Sequence, residues 1–257
     1  MFALALSGLA TTGALMLLAW LISVRLRNVG IIDIFWGPAV AGAGLTWLLQ
    51  TEAQTRGMLA VLLAGLWAVR LALHLLWRGL GRGEDRRYRE IRARHEPHFA
   101  LKSLYLVFGL QAVLAWLIAA PLFGAVSSTD QPGVVDAVAI LLWASGFALQ
   151  ATADLQLARF QRRDGSGQAV MSDGVWRYSR HPNYFGEALM WWGIWLIAAA
   201  GGAWWTFFAP LLLTVLLLKV SGVALTERDI ATRRPEYLDY IRRTSAFVPL
   251  PPRRERL

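Results

Sequence analysis

The sequence predicts an all-α polytopic membrane protein of about seven transmembrane helices, with its N-terminus outside and its C-terminus cytoplasmic. Three observations carry that expectation. Hydrophobic residues make up 56% of the 257 and 13 are Trp, a profile that soluble domains of this size rarely show. The apolar residues come in blocks close to the roughly 20 that a helix needs to cross a hydrocarbon core. The basic residues fall almost wholly on one side if those blocks alternate in direction.

The blocks run approximately 2–24, 31–50, 58–77, 104–123, 134–157, 184–200 and 203–223. No basic residue precedes the first, it exceeds a signal core, and Arg25 and Arg27 follow it as a stop, so it reads as a span rather than a signal peptide. Two basic residues follow it, eight lie between 78 and 102, five between 159 and 180, and eight from 228 onward. Arg56 alone falls in an opposite-side loop, and the loop 124–133 has no basic residue. The expected organisation is a single membrane-embedded domain over 1–257. Residues 1–100 hold three substrate-side spans and a basic loop, and residues 101–257 hold the cofactor-binding spans and the tail.

A net charge of +9 suits anionic headgroups. Nucleic acid is not an expected partner, because DNA would have to lie flat on the bilayer to reach arginines on short loops. The chain has no Cys, which excludes disulfides, thiolate metal sites and a Cys nucleophile. Four His without a His-x-x-x-His or Glu-x-x-His pair give no reason to expect a metal. The glycines of GLGRG at 79–83 follow a membrane helix rather than a strand, so they are not a dinucleotide-binding fingerprint.

Charged residues inside spans are costly and face a bundle interior or a water-filled cavity. Arg70, His74 and Arg78 are spaced by four and share one face of the third span. Gln150, Asp154 and Gln161 form a stripe on the fifth, and Asn183 and Glu187 stand four apart at the start of the sixth. Asp33 opens the second span, where the helix dipole favours an acid. Its neighbours Ile34, Phe35 and Trp36 suggest a second role, since an acid in apolar surroundings stays protonated and donates a hydrogen bond to a carbonyl oxygen.

The stretch WRYSRHPNYFGE at 176–187 gathers the most polar chemistry beside a span. His181-Pro182 is a natural helix start, because proline suits the first helical position. First-turn amides with Arg177, Arg180 and His181 around them make a phosphate site; an ordinary basic interfacial flank remains the alternative.

DGVWRYSRHPNYFGEALMWWGIWL at 173–196, DLQLARFQRR at 154–163 and EYLDYIRRTSAFVPLPP at 236–252 together resemble the steroid 5-alpha-reductase family, in its bacterial branch. The resemblance is close over roughly 150–252. It implies NADPH-dependent reduction of the C=C bond of an α,β-unsaturated ketone, a Δ4-3-ketosteroid or similar lipid, by a monomeric protein of the bacterial inner membrane. Asp154, Arg162, Tyr178, Asn183 and Glu187 match cofactor-binding positions, Arg180 and His181 flank them, and Arg70 and Arg228 match further cofactor contacts. Asp33 matches the acid that engages the substrate ketone. The tyrosine that partners this acid has no equivalent on the third span, where Trp67 takes its place. Arg-His-Pro-x-Tyr-x-Gly is also similar to the isoprenylcysteine methyltransferase family, which uses S-adenosylmethionine; Asn183 and Glu187 favour the reductases.

Overall fold

The computed structural model describes residues 1–52, 54–79, 83–164, 169–220, 222–227, 230 and 234–253. Among them the regular elements are all helical and no strand occurs. Five helices are long and apolar enough to cross a membrane: Phe2–Leu26, Ile31–Gln50, Thr55–Gly79, Phe99–Val126 and Val134–Arg163. The chain is thus an all-helical membrane protein by length and composition. The last two blocks are helical as well, but Pro182–Ala200 carries Asn183 and Glu187, and Trp204–Val220 is shorter. Two compact units are present, Met1–Gly133 with Ile197–Ala209, and Val134–Leu196 with Pro210–Leu257.

In the first unit α1 (Phe2–Leu26) packs on α2 (Ile31–Gln50), and α2 on α3 (Thr55–Gly79). Residues Gly8, Thr12, Met16, Ala19 and Ser23 are the buried face of α1, spaced by three or four as one helical stripe requires. The small residue at Gly8 admits Trp47 of α2. A Cβ there would lie 2.2 Å from the indole, whose Nε1 donates to the Leu4 carbonyl at 2.8 Å. Helix α1 ends where Arg27 turns left-handed, at φ 52, and the Asn28 amide donates back to Ser23 O at 3.0 Å.

Residues 78–102, expected only as a basic loop, contain α4 (Arg86–His95). Asp85 caps it by accepting from the Arg87 amide at 2.9 Å, and Arg86 pairs with Glu90 one turn on at 2.8 Å. After it, α5 (Phe99–Ser103) runs through a π turn at Leu104–Gly109 into α6 (Leu110–Ile118), followed by α7 (Ala120–Val126). Arg56, the isolated cation of the opposite side, is only 3% exposed. It donates to Ser128 Oγ at 3.1 Å and to the Asp130 and Gln131 carbonyls at 3.3 and 3.0 Å, pinning the loop after α7.

In the second unit α8 (Val134–Arg163) has 30 residues and carries all of DLQLARFQRR as helix, beyond the expected end at 157. Helix α9 (Pro182–Ala200) begins at the proline, as the His-Pro pair predicts. The two approach backbone to backbone: a Cβ on Gly146 would meet the Gly186 carbonyl at 2.5 Å, and one on Gly186 the Gly146 carbonyl at 2.6 Å. Such small-residue contacts let membrane helices pack without a hydrophobic driving force. Beyond lie α10 (Phe208–Val215), a π turn at Leu216–Val220, α11 (Val223–Glu227) and α12 (Tyr237–Arg243).

Candidate functional site

The close approach of α8 and α9 sets two polar rungs between apolar helices. Gln150 Nε2 donates to Glu187 Oε2 at 3.1 Å, and one turn along, Asn183 Nδ2 donates to Asp154 Oδ1 at 3.2 Å. The i, i+4 spacing on each helix makes this register possible. Gln150 is 2% exposed, and Asp154 and Glu187 are 7% exposed each. The Gln150 Oε1 atom is buried and has no hydrogen-bond partner among the described residues. A buried amide oxygen without a donor is costly, so this is where a ligand N–H gains most. The residues the sequence singles out as Asp154, Asn183 and Glu187 thus converge, and Gln150 joins them.

Arg180 and His181 do otherwise. Both are buried, and both turn to Glu227: Arg180 Nε and Nη2 donate to its two oxygens at 2.7 and 2.9 Å, and His181 Nε2 lies 2.9 Å from Oε1. Arg180 Nη1 also reaches the Ile241 and Thr244 carbonyls, at 3.2 and 2.5 Å. Burial pushes the Glu227 carboxyl up, but the hydrogen bonds from His181 and Arg180 and the Arg180 charge outweigh it and hold the group at about 2. The His181 ring stacks parallel on Tyr184, with centroids 5.3 Å apart.

The C-terminal segment completes this clamp. The Arg180 amide donates to Ser245 O at 2.8 Å, Ser179 Oγ to Phe247 O at 2.7 Å, and the Leu250 amide to Tyr178 O at 2.9 Å. Tyr240 donates to the Trp176 carbonyl. So WRYSRHP owes its polarity largely to fixing its own loop. Tyr178, 45% exposed, and Arg162, exposed in the last turn of α8, keep outward-facing side chains. Arg228 lies outside the described residues.

In the first unit Asp33 does not sit in the apolar surroundings its neighbours suggest. Its carboxylate accepts from Arg87 Nη2 at 2.7 Å and from the Tyr88 hydroxyl at 2.6 Å. Arg87 also lies over the Tyr88 ring, 4.5 Å from the centroid. Burial, then the Asp33 charge, push the Tyr88 hydroxyl well above its ordinary value, so it stays an O–H donor. Tyr88 is the tyrosine missing from the third span; it comes from α4 instead, and Trp67 is buried in α3. Arg70 is partly buried in α3 of this unit. The missed helix had signals: an Asp cap, no Gly or Pro over RRYREIRARH, and an Arg-Glu pair at i, i+4.

A family model described as "Protein of unknown function (DUF1295)" matches residues 19–244. The chain belongs to this family. DUF1295 falls within the steroid 5-alpha-reductase-like superfamily. The match contains both the Asp33 cluster and the rungs of α8 and α9. The chain is also 25% identical to an uncharacterized protein of Schizosaccharomyces pombe, over 90% of this chain and 75% of that one. No solved structure matches it.

Proposed function

We propose that this DUF1295 protein is an NADPH-dependent reductase of the C=C bond of a hydrophobic α,β-unsaturated ketone, such as a Δ4-3-ketosteroid. It acts as a seven-span protein of a bacterial inner membrane, with its C-terminus in the cytoplasm. The observation that carries the reading is the pair of buried rungs, Gln150–Glu187 and Asn183–Asp154. Four polar side chains inside an apolar helix pair mark a ligand site. Their donor set fits the cofactor: the Gln150 Oε1 atom and the Glu187 carboxylate are acceptors for a carboxamide NH₂. Arg162 offers an exposed guanidinium to phosphate, whereas Arg180 and His181 support the loop rather than the ligand.

Bound NADPH supplies the hydride. The chain's own contribution is to hold the carbonyl oxygen of the enone as negative charge develops on it. Tyr88 is the neutral donor for this task, and Asp33, which accepts from both Tyr88 and Arg87 and donates to neither, aims the two donors. The charge distribution along the chain supports the orientation, with the Asp33 end of α2 and the rungs on the cytoplasmic side. Purified protein is expected to bind NADPH and oxidise it on addition of testosterone or progesterone. Binding of S-adenosylmethionine without binding of NADPH would replace this reading with that of a membrane methyltransferase.

A further inference from the structure

Beyond the proposed reaction, the first unit contains a cavity of about 350 Å³ where α1 ends, between its last turn and α4 and α5. Arg27 and Arg92 line it on one side; Val24, Val29, Phe99 and Ala100 give it an apolar side. Its walls are tied in place. Glu84 accepts from Arg92 Nε at 3.0 Å and Nη2 at 2.9 Å and from the Val29 amide at 2.8 Å, while Arg92 lies 4.8 Å above the Phe99 ring. Burial pushes Glu84 up, but Arg92 and the Val29 amide bring it below its ordinary value, so it neutralises Arg92 at neutral pH.

Arg27 has no such counterion. Its guanidinium, exposed beside the cavity, has no acceptor among the described residues, and Arg92 Nη1 has none either. The pocket therefore presents an uncompensated positive charge and unspent N–H donors next to an apolar wall. Its depth is that of a bilayer interface: it begins at the final turn of an apolar helix, and the indole of Trp20 donates to the backbone of Ala100 at 2.8 Å. We propose that this cavity binds the phosphate of one anionic membrane phospholipid, with the headgroup on Arg27 and Arg92 Nη1 and the first acyl carbons against Val24 and Phe99.

Native mass spectrometry of the delipidated full-length protein, titrated with phosphatidylglycerol in neutral detergent, tests this. One lipid is expected to bind before any other. Arg27→Asn keeps a residue that tolerates the left-handed cap but removes the charge, and should weaken that first site about fivefold. Ala100→Trp fills the cavity with all charges intact and should abolish the site. Arg25→Ala, on an exposed residue that does not line it, should leave it unchanged. Equal loss with Arg25→Ala and Arg27→Asn would show only the diffuse field of a basic surface. Equal binding of phosphatidylcholine would show a purely apolar cavity, and displacement by inorganic phosphate a free-anion site; each of these overturns the proposal. None of the arms depends on NADPH turnover, so failure of the reductase reading leaves this test intact.

Discussion

Two ion pairs of equal length, in different units, behave as different kinds of structure. Arg180–Glu227 and Arg87–Asp33 both close at 2.7 Å. The first pair is 9% and 16% exposed, shares its carboxylate with His181 and Tyr237, and ties a loop to the chain's end. The second is 30% and 36% exposed and rests on a ten-residue helix. A buried pair with every donor engaged fixes a fold and is dangerous to break, whereas a half-exposed pair holds donors that a ligand oxygen can take over. Proximity of charge is thus a weak guide to function, and burial separates the two cases.

The largest effect is expected from Glu227→Gln. It leaves Arg180 and His181 buried without their counter-charge, and should cost about 3–5 kcal/mol, read as a lowered thermal midpoint in detergent. Acid weakens the same clamp. The Glu227 carboxyl sits at about 2 in the folded chain against an ordinary 4.5. Its stabilisation is therefore complete above about pH 4.5 and is lost as pH falls toward about 2. The gap between wild type and Glu227→Gln should narrow across that window. A constant gap would mean that Glu227 is not the titrating partner.

Asp33→Asn should show the reverse profile. Stability should change by less than about 1 kcal/mol, because the pair is half in solvent. Turnover of an enone should fall about a hundredfold with NADPH affinity unchanged, the scale of losing one aimed donor at a developing oxyanion. Tyr88→Phe should match it in turnover. Full activity in either variant would remove the cluster from the reaction.

The sequence displayed these regions unequally. Helix spans were legible because apolar blocks and one-sided arginines are properties of short windows, and Pro182 marked the start of α9 for the same reason. The rungs were half legible: the i, i+4 stripes on α8 and α9 were visible singly, but their pairing depends on the Gly146–Gly186 approach, which no periodicity encodes. Long-range partners were not legible. Glu227 stands 47 residues from Arg180, and Tyr88 stands 55 from Asp33, so nothing local links them. The density of charge in WRYSRHP therefore read as a ligand site, although much of it is spent within the protein.

The smallest effect is also the most discriminating. A double-mutant cycle on Asp33 and Arg87, with Asn and Gln replacements, should give a coupling energy within about 1 kcal/mol, the range of solvent-exposed pairs. The same cycle on Glu227 and Arg180 should give a coupling toward the upper end of about 0.5–3 kcal/mol, because each single replacement strands a buried charge that the double replacement removes. Since the two pairs share a contact distance and a chemistry, the contrast isolates burial as the cause. Equal couplings would mean that the Asp33 pair is as much a part of the fold as the clamp, and would leave Tyr88 and Arg87 without freedom to turn toward a substrate.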